Sequence, residues 1–463
     1  MHIIHLGANG WLARFDDGFD DENVIRVADA LGLLWADAHP GATVLIGRDA
    51  RFRAAHFAKL VGQVIASYGM RVKVSADPCP TPALGWCAAH DDECVGAVML
   101  TASENSCEYG GILVRGADGG AVSSAFLAEV DRAIPTYATK DRGAVEMADF
   151  VTPYIEGVIA FLDVDAFRFA HLKVVADPMY GGAITTVGPL LRRLGCEVSL
   201  LHAEESHDFV GIHPDPNEPW VDKCERRVVD TGSDCGIVLD GDGDRAALIS
   251  DEGRLVGPQT LVPLVIRCLS MGRGATGRVV VTTATTERAS RQAEMLGLPL
   301  TVVPVGFERS YEEVLEGDVL MASEEYGGIC IPSHLAERDG IFACLVVLEQ
   351  MAKSGLSLSE LVARMAQDVG QMEYVRRDLR LDGGELQTLR NLLPGMNPRN
   401  VAGKKPERVS HLDGLRLHFS NGAWVLLRVS RTQPVARVYA EAPTYKECAQ
   451  LLEAALALAR DPS

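Results

Sequence analysis

Asp240, Asp242 and Asp244 alternate with glycines in Asp240-Gly241-Asp242-Gly243-Asp244-Arg245, directly after the apolar run Cys235–Leu239. Carboxylates at i, i+2 and i+4 with small residues between them let a tight loop turn three oxygens on one hard cation. Mg²⁺ needs such oxygens and commonly shares them with a phosphate. A solvated acidic turn would need no buried-type strand feeding it, and the EF-hand's 12-residue loop with its terminal Glu is absent. Ser103 follows the run Val95–Leu100 in Thr101-Ala102-Ser103-Glu104-Asn105. A serine in a turn is usually only a turn former. In a chain that also carries a metal loop, a hydroxyl at a strand end beside backbone N–H groups can carry a phosphoryl group. Mg²⁺ bridging the aspartates and a phosphoserine would offset charge in its transfer.

Two further loops also follow apolar runs. Ser323-Glu324-Glu325-Tyr326-Gly327-Gly328 offers paired carboxylates, Glu324 and Glu325, that suit sugar hydroxyls or the positive end of a helix. His334 and Glu337-Arg338-Asp339-Gly340 come soon after. Arg428, Ser430, Arg431 and Thr432, with Arg437 beyond Pro434, combine guanidinium, hydroxyl and backbone amide groups as a phosphate monoester requires. Standing alone, that segment reads as a basic edge turn.

Apolar runs at Thr43–Gly47, Val95–Leu100, Lys173–Ala176, Cys235–Leu239, Arg278–Thr282 and Asp318–Met321 alternate with amphipathic stretches such as Phe57–Gly69, Val187–Gly195 and Thr260–Met271. Continuous apolar runs suit strands covered on both faces, and the alternation predicts mainly parallel α/β domains. A β-α-β unit recurs about three times, each with a polar, Gly-containing loop at a strand's carboxyl end, where open α/β sheets bind ligands. Beyond residue 368 the character changes. Leu415–Phe419 and Trp424–Val429 flank an Asn-Gly turn signal, and Thr444–Arg460 reads as a closing helix. The expected architecture is three similar mixed α/β domains, 1–138, 139–250 and 251–368, plus a smaller α+β domain, 369–463, around one cleft.

Sixty-three acidic residues against 44 basic ones give a formal charge of −19. Nucleic acid is therefore not an expected partner, since binding it needs a basic footprint. Eleven scattered cysteines, an odd number without zinc-type spacing, read as reduced thiols. No signal-peptide pattern and no stretch of about 18 apolar residues is seen, so the expectation is a cytoplasmic protein with no membrane partner, monomeric or homodimeric.

Taken in order, the four loops resemble those of the α-D-phosphohexomutases, the phosphoglucomutases and phosphomannomutases. Collinear fragments extend the resemblance over nearly the whole chain: Leu6-Gly-Ala-Asn-Gly-Trp11, Gly47-Arg-Asp-Ala-Arg51, Pro80-Thr-Pro82, Asp177-Pro-Met-Tyr-Gly181, His213-Pro-Asp-Pro216, Pro304-Val-Gly-Phe307 and Arg437-Val-Tyr-Ala-Glu441. The resemblance implies four domains that each donate one loop to a cleft. It implies Ser103 as phosphoserine, Mg²⁺ on Ser103, Asp240, Asp242 and Asp244, and Arg245 as the charged partner beside the metal. His334 is a candidate catalytic residue by its place beside the carboxylate loop. Glu324 and Glu325 would meet sugar hydroxyls, and Arg428, Ser430, Thr432 and Arg437 would hold the non-reacting phosphate, which Arg431, a departure from the pattern, could grip as well. The implied reaction passes a phosphoryl group to a phosphorylated sugar and recovers the other phosphoryl group after the bisphosphate turns round.

The departures point to an altered substrate. Where the family's serine loop has T-A-S-H-N-P-P-x-Y-N-G-x-K, Glu104 stands for His and Leu113 for Lys. Leu12 stands for an Arg unless Arg14 reaches in, Glu308 for a Lys, and Ser323 and Tyr326 for Gly and Ser. In the phosphate loop Arg431 stands for Gly and Gln433 for Glu. Three cations are thus removed, and a general acid/base is worth roughly 10²–10⁴-fold. Two other readings are a non-catalytic binder of a phosphorylated metabolite and a serine-dependent sugar phosphatase.

Overall fold

The computed structural model describes residues 4–7, 10–430 and 434–461. Its strands form four sheets in chain order, and the first three repeat one arrangement. In the first, Tyr109–Gly116, Cys94–Leu100, Thr43–Arg48 and Arg71–Ser75 lie side by side. In the second the same places are taken by Ala246–Ser250, Cys235–Leu239, Lys173–Asp177 and Glu197–Leu200. In the third they are taken by Ile329–Cys330, Val319–Ser323, Arg278–Thr282 and Leu300–Val303. Three strands of each set run parallel, joined by helical crossovers. The fourth returns antiparallel from a hairpin. Thr43–Arg48 and Cys235–Leu239 are buried at every position, because helices cover both faces.

The three polar loops, 101–108, 240–245 and 324–328, are the tips of these hairpins. The expectation of β-α-β units holds for the crossovers. The loops themselves lead into an antiparallel strand, because the apolar residues after each loop, Ile112–Val114, Ala246–Ile249 and Ile329, pair back onto the strand before it. Two sheets also reach past the boundaries expected at 138 and 250. Glu146–Ala148 pairs with Arg71–Ser75, and Leu255–Val256 pairs with Ala246–Ser250. Strands of three and two residues carry too little periodicity to be seen in sequence.

One apolar cluster running from Leu45 to Val369 joins the three α/β units. The last unit has its own core. Its antiparallel strands Glu373–Arg380, Val435–Ala442, Trp424–Val429, Leu415–His418 and Arg408–Ser410 pack against the helix Tyr445–Arg460. The Asn421-Gly422 hairpin pairs His418 with Trp424, in the predicted place. Among the described residues no single helix is long and apolar enough to cross a membrane.

The last unit docks on the third through satisfied polar groups. The buried Glu441 carboxylate accepts from the Thr286 hydroxyl, from the Glu287 backbone N–H at 2.8 Å and from Trp424 Nε1 at 2.6 Å. It thereby caps the helix Glu287–Met295 from outside. Arg416 lies over the Trp424 ring and donates to the Thr283 carbonyl at 2.7 Å, and the Tyr374 hydroxyl donates to the Ala284 carbonyl at 3.0 Å. Glu441→Ala leaves three donors unsatisfied at this junction, at about 1–3 kcal/mol for each that stays buried. Amide hydrogen exchange in that variant should accelerate around residues 283–288 and along Val435–Ala442, with the first two sheets unchanged. Uniform protection would show that the capping carboxylate does not hold the docking.

Candidate active site

The serine loop is shaped from behind by a buried relay. Asp49 accepts from Arg51 Nε at 2.7 Å and from the Thr101 hydroxyl at 2.6 Å, and Thr101 Oγ1 accepts the Ser103 backbone N–H at 2.9 Å. Arg51 also donates to the carbonyls of Ser103 and Tyr109, each at 2.9 Å, across the loop. These bonds hold Ser103 at φ 49°, a left-handed conformation that a serine adopts only when its surroundings over-determine it. A Cβ at position 241 would fall 2.3 Å from the Ser103 carbonyl oxygen, so only glycine lets the metal loop come this close.

The Ser103 hydroxyl donates to Asp240 Oδ2 at 2.8 Å and accepts from Arg245 Nη2 at 2.5 Å. Arg245 also pairs with Asp240 and with Glu104. Asp242 accepts from the Thr81 hydroxyl at 2.5 Å, and Asp244 pairs with Arg338 at 2.6 Å. Arg338 is held from its other sides by Glu324 at 2.7 Å and by Glu337, which in turn pairs with the buried Arg115 at 2.5 Å. Sequence reasoning did not name Thr81, Arg51 or Arg338 as site residues, although each lies in a fragment that carried the resemblance or beside a candidate. Arg338 in Glu337-Arg338-Asp339-Gly340 was the most visible of them.

Oxygens of Asp240, Asp242 and Asp244 lie within 4.8 Å of one another, and all three residues are buried. Burial, then the Asp244 charge, pushes Asp242 up to about 6, and burial lifts Asp240 well above the carboxylate range despite Arg245. Asp242 Oδ1 and Asp244 Oδ1 are enclosed without hydrogen-bond partners. Two enclosed carboxylate oxygens without hydrogen bonds, one of them 3.5 Å from Arg245 Nε, beside a third carboxylate fit a hard dication. Glu104 is held below its ordinary range: burial works against its charge, and Arg245 outweighs burial. Burial works likewise against the charge of Arg245, and Glu104, Asp240 and Asp244 outweigh it.

The two glutamates of the third loop face different ways. Glu324 turns to Arg338 and the metal loop, and a backbone bridge between Arg245 and Gly328 ties the two loops together. Glu325 turns to the last unit, accepting from the hydroxyls of Thr282 at 3.2 Å and Tyr439 at 3.4 Å. In the last unit Arg428 and Arg437 stand opposite each other on paired strands, an unfavourable pairing that nearby acids relieve. Arg428 pairs with Asp413 at 2.9 Å, Arg437 lies 3.9 Å from Asp378, and Ser430 is buried at the strand end. Arg431 and Thr432 lie outside the described residues.

His334 does not join the cleft. Its imidazole, 1% exposed, bonds Asp339 at 3.0 Å and lies stacked on Phe342 and Trp86. Tyr154 donates to the same aspartate at 2.9 Å. A ring closed in by Trp86, Tyr154, Phe161, Phe342 and a carboxylate has no face for a substrate, so the catalytic expectation for His334 is revised to a structural one. Leu113 is buried in the main apolar cluster, and Arg14 is spent on Asp16 and Glu108. Leu12 is 43% exposed, with its Cδ2 against Gly111 beside the serine loop. None of the three supplies the missing cation at Ser103.

Models of phosphoglucomutase/phosphomannomutase α/β/α domains I, II and III match residues 4–141, 152–253 and 258–369, and the model of the C-terminal domain matches 386–458. The chain belongs to the phosphoglucomutase/phosphomannomutase family. It is 28% identical over 443 residues to a phosphoglucomutase/phosphomannomutase of Thermococcus kodakarensis, covering 94% of each chain. It is 27% identical to a phosphoglucosamine mutase of Xanthomonas euvesicatoria, over 95% of this chain and 94% of that one. A solved Thermus thermophilus protein with a provisional phosphomannomutase name superposes at a TM-score of 0.88 and 30% identity, covering 98% of this chain and 99% of that one. The family's enzymes are isomerases, and this chain is an enzyme of that type.

Two measurements check the site. Calorimetric titration with Mg²⁺ should show binding that Asp242→Ala removes, and native-like binding in that variant would displace the cation from this loop. The second concerns Glu324, which burial raises to about 7, against the pull of Arg338. A carboxyl raised on folding stabilises fully below its ordinary range near 4.5, and that contribution is lost as pH climbs through 7. In chelator, Glu324→Gln should therefore gain stability relative to the native chain between about pH 5 and pH 8 in urea unfolding. Parallel curves would contradict it.

Proposed function

We propose that this enzyme moves a phosphoryl group on a phosphorylated sugar through Ser103, on a substrate other than the ordinary hexose phosphates. The observation that carries the reading is the Ser103 hydroxyl, clamped between an anionic acceptor and a cationic donor at the tip of a strained hairpin. Asp240 is placed to take the hydroxyl proton, and Arg245 to stabilise charge on Oγ as the phosphoryl group joins or leaves it. Asp240, Asp242 and Asp244 are the residues that would hold Mg²⁺, which when bound supplies charge neutralisation at the transferring phosphoryl group. Glu324 and Arg338 carry the sugar-loop side of the same network. Arg428, Ser430 and Arg437, with Arg431 and Thr432, would receive the substrate's other phosphate.

The altered substrate follows from charge. A sugar bisphosphate brings close to about four negative charges. In this cleft Glu104 spends part of Arg245, Leu12 and Leu113 offer no charge, and Glu308 stands where the family pattern has a lysine. Tyr326 also occupies the third loop where the family pattern has a small serine, and the Arg376 guanidinium lies 4.6 Å over its ring. Each lost charged hydrogen bond costs about 1.5–3 kcal/mol, and each 1.4 kcal/mol is about tenfold in rate.

Two expectations test this. Intact-mass analysis should find a fraction of the chain one phosphoryl group heavier, mapped to Ser103, and incubation with a sugar 1,6-bisphosphate should raise it. Absence of that species under any such condition would favour a binding protein instead. Steady-state kcat/KM on glucose 1-phosphate and mannose 1-phosphate should fall below the ordinary enzyme range of about 10⁴–10⁸ M⁻¹s⁻¹. A value inside that range for either would end the case for a rebuilt site.

A further inference from the structure

Behind the third loop lies a cavity of about 550 Å³, within the size range of small-molecule sites. Three units build its wall: Asn217 from the second, the start of the helix Pro258–Arg267 with Arg288 and Tyr326 from the third, and Arg376 from the last. Arg288 is 6% exposed. Its Nη1 donates to the Thr260 hydroxyl at 3.2 Å, its buried Nε has no hydrogen-bond partner, and among the described residues no carboxylate forms an ion pair with it. The buried Tyr326 hydroxyl is also without a partner. Both carboxylates on the wall are already engaged, Glu325 by Thr282 and Tyr439, and Asp378 by a two-pronged bond from Arg376 at 2.8 and 2.7 Å.

Unused donors on a buried guanidinium and a buried phenol are costly, and the positive end of a ten-residue helix lines the same space. An oxyanion is the group that accepts from all three together. We infer that this cavity is a phosphate-binding subsite centred on Arg288, Tyr326 and the N-terminus of the helix Pro258–Arg267. Arg376 is less free to contribute, because Asp378 holds it. The phosphate comes either from the phosphosugar itself or from a separate phosphorylated metabolite. The first source rests on the proposed mutase reading, and the second does not.

The test is calorimetric titration of the full chain with inorganic phosphate, in chelator so that the aspartate loop is silent and with Arg428→Met as the background for every variant, so that the phosphate loop of the last unit is silent as well. Arg288→Met should bind at least about tenfold more weakly, the value of a charged hydrogen bond, and Tyr326→Phe a few-fold more weakly. Native-like affinity in Arg288→Met, or no phosphate binding by the native chain, overturns the inference. Should Arg288→Met fail to fold, unchanged affinity in Tyr326→Phe overturns it. Kinetics then separate the sources. A raised KM for the phosphosugar with kcat kept in Tyr326→Phe assigns the subsite to the substrate. An unchanged KM together with loss of phosphate's effect on the rate assigns it to a separate metabolite. Failure of Ser103 to take up phosphate would remove the mutase reading and leave the calorimetric result standing.

Discussion

Three buried carboxylates within 4.8 Å of one another are the constraint around which this protein is arranged. Like charges at that distance in a poorly solvated pocket cannot all stay ionised without cations beside them. Arg245 and Arg338 are those cations, and they reach Asp240 and Asp244 from two sides. Each then extends the network. Arg245 continues to Ser103 and Glu104, and Arg338 to Glu324 and Glu337. The serine, the aspartate loop and the third loop are thus parts of one electrostatic assembly whose remaining deficit of positive charge is what a dication would supply.

The scaffold makes that assembly possible by repetition. Each α/β unit places a hairpin tip after the strand beside its central one, and a shared apolar core fixes the three units against each other. The tips therefore meet at one place without long loops. The last unit is joined differently, through capping and guanidinium contacts of Glu441, Arg416 and Tyr374 around residues 283–287. Polar docking of this kind is easier to open than an apolar core, because water can replace its partners.

The substitutions that set this chain apart are consistent among themselves. Leu113 is absorbed into the core, so its position no longer serves the cleft, and Arg14 is retained by acids of its own neighbourhood. Glu104, in place of a histidine, takes a share of Arg245. Tyr326 fills space in the third loop and, stacked under Arg376, connects that loop through Asp378 to Arg437. The junction of the later units holds Arg288, and Arg376 and Arg437 share Asp378 there.

The α/β character, and Ser103, the three aspartates and the two glutamates as candidates, were legible in the sequence, because they depend on local rules. Alternating carboxylates after a buried strand, glycine at a tight approach and apolar runs of strand length act over a few residues. The antiparallel return of each hairpin, the short strands Glu146–Ala148 and Leu255–Val256, and the burial of His334 were not legible. Glu146–Ala148 and His334 depend on partners far away in the chain, Lys73–Ser75 beside the strand and Trp86 and Phe161 around the imidazole, whereas the hairpin returns and Leu255–Val256 pair with neighbouring strands and carry no local mark of their direction. The split duties of Glu324 and Glu325 were also hidden, since neighbours in sequence carry no sign of which unit each will face. By itself the sequence determined which groups could do phosphoryl chemistry and on what kind of scaffold. Only the tertiary structure decided which cations stand beside which anions, because Coulomb energies depend on distance and burial across units, and neither is written in local spacing.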